Sequence, residues 1–186
     1  RWGSAAVAEV ERCAQAGLVG IGELHPDTQG FNLGDSDTMA SLVEAAVSLE
    51  MPILTHASEP VGHLYAGKGR TTPEVLCRFI DSFPDATLIC AHWGGGLPFY
   101  TLMPEVSQAL QRVFFDTAAS PLLYRPGVFP VVTSLVGHDK VLLGTDYPLI
   151  EQNRLIRQVI ESPVSDEAKE GILYANAARL LGIPDW

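Results

Sequence analysis

The chain has 186 residues, 47% of them hydrophobic and 18% charged, enough apolar material for one core and unlike a disordered chain. A net charge of −10 and a pI of about 4.8 leave no basic stripe for a phosphate backbone, so no nucleic-acid partner is expected. No apolar run approaches a membrane span and no secretory signal opens the sequence, so no membrane contact is expected and the location expected is cytoplasmic.

In chain order, Ser4–Gly17 carries apolar or small residues at helical spacing and stops on a glycine. LVGIGEL (Leu18–Leu24) reads as a short buried strand. A Gly/Asp-rich loop leads to a helix that begins at Asp37, with that aspartate as its N-cap. PILTHA, from Pro52, is a second strand, and the polar loop Ser58–Arg70 follows it. Thr72 and Pro73 then mark the start of a third helix, as N-cap and first helical residue. TLICAH (Thr87–His92), a glycine loop, a helix over about Pro98–Arg112 and VFFDTA (Val113–Ala118) come next. A helix over 127–137, a strand in KVLLGTD and two helices, Ile150–Glu161 and Asp166–Leu181, complete the pattern. Such alternation predicts a right-handed parallel sheet covered on both faces. It fits either an open doubly wound sheet or part of a (β/α)8 barrel, in one domain over 1–186. Cys13, Cys77 and Cys90 share no metal-type spacing and sit in apolar pattern, which predicts buried free thiols.

The five expected strands have one feature in common. They end at Glu23, His56, His92, Asp116 and Asp146, so each passes to its loop through an ionisable residue. In parallel α/β folds those ends share a rim, where ligands bind. Carboxylates and imidazoles converging there require a counter-charge, and a divalent cation supplies it; mixed N/O donors suit zinc, manganese or iron better than magnesium.

GIGEL, LTH, AHWGGG, LLGTDYP and YANAARLLG, spread from about Gly20 to Ile183, together resemble the amidohydrolase superfamily, in its amidohydrolase-related branch of metal-dependent hydrolases and decarboxylases. The resemblance implies a (β/α)8 TIM-barrel fold, here about five parallel β/α units forming the C-terminal part of a barrel. It implies His56 and Asp146 as metal ligands, with His92 a second ligand or a catalytic histidine. Glu23 matches a glutamate that some relatives, including TatD-type deoxyribonucleases, use to bridge two metals. The family's first-strand His-x-His pair has no counterpart. Three β/α units are therefore expected to be missing from the front, and the chain, which opens at Arg1, is expected to be a piece of a longer enzyme.

These readings give a metal-dependent hydrolase acting on a small amide, ester or lactone, with zinc as the first choice of metal and manganese or iron as alternatives. Asp146 is the expected general acid/base, and His92 steadies or protonates the developing oxyanion. Trp93, Lys68, Arg70 and Tyr147 are expected around the substrate, Ser58–Arg70 as a lid, and Asp116 as a supporting or turn residue. A non-oxidative decarboxylase of an aromatic or enoic acid is the nearest alternative. A TatD-type phosphodiesterase and a non-catalytic truncated barrel are the others, and a homo-oligomer is expected if the sheet edges stay open.

Overall fold

The computed structural model describes residues 3–183. Five strands form one parallel sheet: β1 (Ile21–Leu24), β2 (Ile53–Thr55), β3 (Leu88–Cys90), β4 (Val113–Asp116) and β5 (Val141–Leu142). Each strand lies beside its neighbour in sequence. A doubly wound sheet would reverse its strand order at a switch point. This order never reverses, so right-handed crossovers carry every connecting helix to the same side, as in a barrel. The fold is a partial α/β barrel.

Pairing from β2 to β4 is in register: Ile53, Leu88 and Val113 align, as do Thr55, Cys90 and Phe115. Strand side chains alternate between faces. Ile53, Leu88, Cys90, Val113 and Phe115 pack with Met39 and Val43 of the helix Ser36–Ser48 and with Leu76, Phe79 and Ile80 of the helix Pro73–Ser82. Between them, Leu54, Ile89 and Phe114 pair across the strands and are only half-buried. A second cluster joins Trp93, Phe129, Val141, Leu155 and Ile172 beneath the helices Val128–Val136 and Gln152–Glu161.

Several elements differ from expectation, each for a local reason. The helix Ser36–Ser48 is capped by Asp35 rather than Asp37; the Asp35 carboxylate accepts the Thr38 N–H at 3.3 Å and its hydroxyl at 2.8 Å. The helix expected over 98–112 is broken, because Pro104 can open a helix but not sit inside one; a 3-10 turn at Leu97–Tyr100 precedes Pro104–Ala109. Leu18 and Val19 are exposed and outside β1, while β5 ends at Leu142, well before Asp146. Cys90 is buried, but Cys13 and Cys77 are partly exposed; all three are free thiols. No helix among the described residues is long and apolar enough to cross a membrane.

After β3 the backbone turns left-handed at His92, Trp93, Gly94, Gly95 and Gly96 in succession. The glycines are required by the chain itself. A Cβ at Gly94 would strike the Phe115 ring, and one at Gly95 would run into the backbone carbonyl of Ser58. Gly95→Ala is therefore expected to destabilise the protein by about 1–3 kcal/mol, through strain and a forced shift of the Ser58 segment. Gly127→Ala, at ordinary φ with open space around it, should leave the thermal midpoint nearly unchanged. Thermal unfolding of the two variants side by side checks the contrast.

Candidate metal centre

Glu23 lies in β1, and His56 follows β2 directly. Parallel pairing brings them together: the His56 Nδ1–H donates to Glu23 Oε1 at 3.1 Å. That bond holds the Glu23 carboxyl below its ordinary range, against the opposite pull of burial. A carboxylate oxygen only accepts, so the His56 proton resides on Nδ1.

His92 arrives differently. Asp116, at the end of β4, accepts both the His92 N–H and the Ala118 N–H on the same oxygen, each at 2.9 Å. This tie fixes the left-handed turn that points the His92 ring back over the strand ends. Burial pushes the Asp116 carboxyl up, while His92 and the two N–H donors draw it down. The His92 Nδ1–H donates to the Ala118 carbonyl at 3.3 Å, which leaves Nε2 with a bare lone pair. That Nε2 faces Glu23 Oε1 at 3.8 Å. Two acceptors set face to face, too far apart for a hydrogen bond, are a place a cation fits. One ligand atom each from Glu23, His56 and His92 lie within 4.8 Å of one another, with both histidines buried. Two imidazoles and a carboxylate form a donor set suited to a divalent transition metal.

A pocket of about 390 Å³ opens on this cluster. Glu23, His56, His92 and Asp146 line its polar side, and Ala66, Ala119, Leu122, Leu123 and Leu149 form an apolar wall. Asp146 is exposed, in a left-handed turn past the end of β5, and reaches the same pocket without joining the three-residue cluster. His25 and His63 also line it, a contribution the sequence reading missed. His25 was traceable, since it lies two residues beyond Glu23 in alternating pattern; its ring stacks on His56 at 4.1 Å and its Nδ1 accepts the Thr28 N–H at 3.4 Å.

The four residues expected around the substrate lie elsewhere. Trp93 is fully buried, donates to Ser120 Oγ at 2.6 Å and packs edge-on to Phe129, so it is a core residue. Lys68 Nζ donates to the Val61 and His63 carbonyls, at 2.6 and 3.2 Å, and so clips its own loop. Arg70 pairs with Asp27 at 2.7 Å. Tyr147 is exposed and does not line the pocket. The loop 58–70 does cover the site, contributing His63, Tyr65, Ala66 and Gly67 to the pocket.

A sequential parallel sheet with His/His/carboxylate donors on its C-terminal rim defines a partial α/β barrel with a cluster able to hold a divalent metal. The chain belongs to the amidohydrolase family, whose match runs over residues 1–183. It is 25% identical over 207 aligned residues to 2-amino-3-carboxymuconate-6-semialdehyde decarboxylase of Dictyostelium discoideum, covering 95% of this chain and 57% of that protein. Its fold matches 5-carboxyvanillate decarboxylase from Sphingomonas paucimobilis with a TM-score of 0.75 at 19% identity, over 96% of this chain and 63% of that one. A dihydroxybenzoic acid decarboxylase from Polaromonas, solved with bound manganese and 2-nitroresorcinol, matches at a TM-score of 0.73 and 17% identity, over 96% and 65%. The chain thus spans about three fifths of the length of these relatives.

Two predictions follow from the geometry. Removing the shared acceptor in Asp116→Ala orphans two buried N–H groups and should lower stability by at least about 2 kcal/mol, read from denaturant unfolding. For Glu23, the folded carboxyl titrates below the ordinary value of 4.5, so its stabilisation is present above that pH and is lost as pH falls through the folded value. In metal-free protein, Glu23→Gln should flatten the acid limb of stability against pH; an unchanged slope would contradict the pairing.

Proposed function

We propose that the chain carries the active-site part of a metal-dependent, non-oxidative decarboxylase of an aromatic or enoic acid. The observation that carries this reading is the Glu23–His56–His92 cluster opening on one pocket with Asp146. The expectation of amide, ester or lactone hydrolysis yields to its alternative, because the similar proteins named above are decarboxylases.

The pocket walls favour the same choice. A carboxylate leaving as neutral CO2 disperses its charge, and an apolar wall such as Leu122, Leu123 and Leu149 favours that dispersal over the charged starting state. Hydrolysis would instead need a water held for attack. Lys68 and Arg70 are engaged elsewhere, and no Lys or Arg lines the pocket among the described residues. A substrate carboxylate in this acidic chain therefore depends on the cluster for its counter-charge.

A divalent ion held by Glu23, His56 and His92, manganese as in the Polaromonas enzyme or zinc, would supply that charge and stabilise negative charge developing in the substrate. Asp146 is the proton carrier. It takes a proton from solvent water and delivers it to the carbon bearing the carboxylate; the carbon–carbon bond then breaks, CO2 leaves, the bonding pair restores the conjugated system, and Asp146 returns to the carboxylate. The product is the substrate with hydrogen in place of the carboxylate. His25 and His63 offer further polar contacts for hydroxyl or carbonyl oxygens.

The test is to load the full chain with Mn2+ or Zn2+ and offer ortho-hydroxybenzoates and amino-enoic acids beside p-nitrophenyl esters and lactones. CO2 release without ester or lactone hydrolysis is expected, and Asp146→Asn should slow it by about 10²–10⁴-fold. Hydrolysis without CO2 would reinstate the hydrolase. A chain that binds no metal after reconstitution would be the non-catalytic barrel.

A further inference from the structure

Ser58 is fully buried between the candidate metal centre and the loop that covers it. Its Oγ lies 3.1 Å from His56 Nε2 and accepts the Gly69 N–H at 2.9 Å. Its own N–H donates to the Thr71 carbonyl at 2.9 Å, so Ser58 closes the neck of the loop twice over. Between these ties, Lys68 clips the loop to itself, and the Tyr65 hydroxyl donates to Glu59 at 3.1 Å.

The proton count on His56 gives Ser58 a second task. With the His56 proton on Nδ1, facing Glu23, its Nε2 is an acceptor, and the Ser58 hydroxyl must be the donor in that contact. A cation between Glu23 and His56 would take the Nδ1 lone pair, and the ring proton would then have to reside on Nε2. The same hydroxyl can accept it there, because it both donates and accepts and only its hydrogen need rotate. An alanine could do neither. A carboxylate could only accept, and would leave the metal-free state with two acceptors in contact.

We infer that Ser58 is the positioning residue of the metal centre: a buried hydroxyl that holds the His56 ring in place in both tautomers and ties it to the neck of the covering loop. The inference rests on the metal reading above. It implies that metal binding moves the His56 proton from Nδ1 to Nε2 while the ring stays where it is. Orienting partners of this kind are worth 10–100-fold in metal affinity.

The experiment is zinc titration of the metal-stripped full chain by calorimetry, with ¹⁵N histidine NMR of both states. Ser58→Ala should weaken zinc binding by about 10–100-fold, and Ser58→Thr, which keeps the hydroxyl, should restore it. In wild-type protein the His56 proton should sit on Nδ1 without metal and on Nε2 with zinc, where it exchanges slowly; Ser58→Ala should make it exchange fast. Zinc affinity unchanged in Ser58→Ala, or a metal-free His56 protonated on Nε2, overturns the inference and leaves the metal centre standing. A wild type that binds no zinc overturns both. Should Ser58→Ala fail to fold, the two wild-type spectra decide alone.

Discussion

In-register parallel pairing is the constraint on which this molecule depends. Ile53, Leu88 and Val113 sit level, and so do Thr55, Cys90 and Phe115, so the residues that follow each strand emerge at one height on one rim. On the β1–β2 side the register shifts between Ile21 and Leu24, and Glu23, within that irregularity, meets His56 although 33 positions separate them. A slip of one residue would turn the helix-facing Ile53 and Leu88 to the opposite side and carry the rim residues with them. Burial of those side chains against Leu76, Phe79 and Ile80 therefore fixes the register, and the register assembles the site. The hydrophobic core and the donor cluster are two consequences of one alignment.

Pairing alone would not aim His92, because β3 ends two residues before it. The chain instead turns through five successive left-handed residues, two of which are not glycine. Left-handed backbone costs an ordinary residue roughly 1–2 kcal/mol, and Asp116 offsets it by accepting two N–H hydrogen bonds on one buried oxygen. The glycines beyond let Phe115 and the Ser58 backbone approach as closely as they do. Strain concentrated at a strand end and held by a neighbouring strand is a common signature of a functional rim.

Electrostatics give the same picture from another direction. The chain is strongly acidic, its two loop cations are engaged in structural contacts, and its pocket joins an apolar wall to a cluster of acceptors. The facing of His92 Nε2 and Glu23 Oε1 at 3.8 Å leaves room for positive charge between or beside them.

The sequence by itself determined the alternation of strands and helices, the apolar runs that become β1–β5, and the ionisable residue after each run. Those depend on local pattern, which survives without knowledge of neighbours. It also pointed to Glu23, His56 and His92, because their strand-end positions follow from that pattern. Tertiary structure alone decided the rest. Periodicity cannot report strand order; the family motifs implied a barrel, and the observed order bears that out against a doubly wound sheet. Trp93 looked like a pocket residue beside His92, but the left-handed turn sends its indole into the core against Ser120 and Phe129. Lys68 and Arg70 looked free because their partners, the Val61 and His63 carbonyls and Asp27, are set by the folding of a loop with no period to read. Ser58 had no signal at all, since a hydroxyl acquires its meaning only when a ring nitrogen and a backbone N–H reach it from opposite sides.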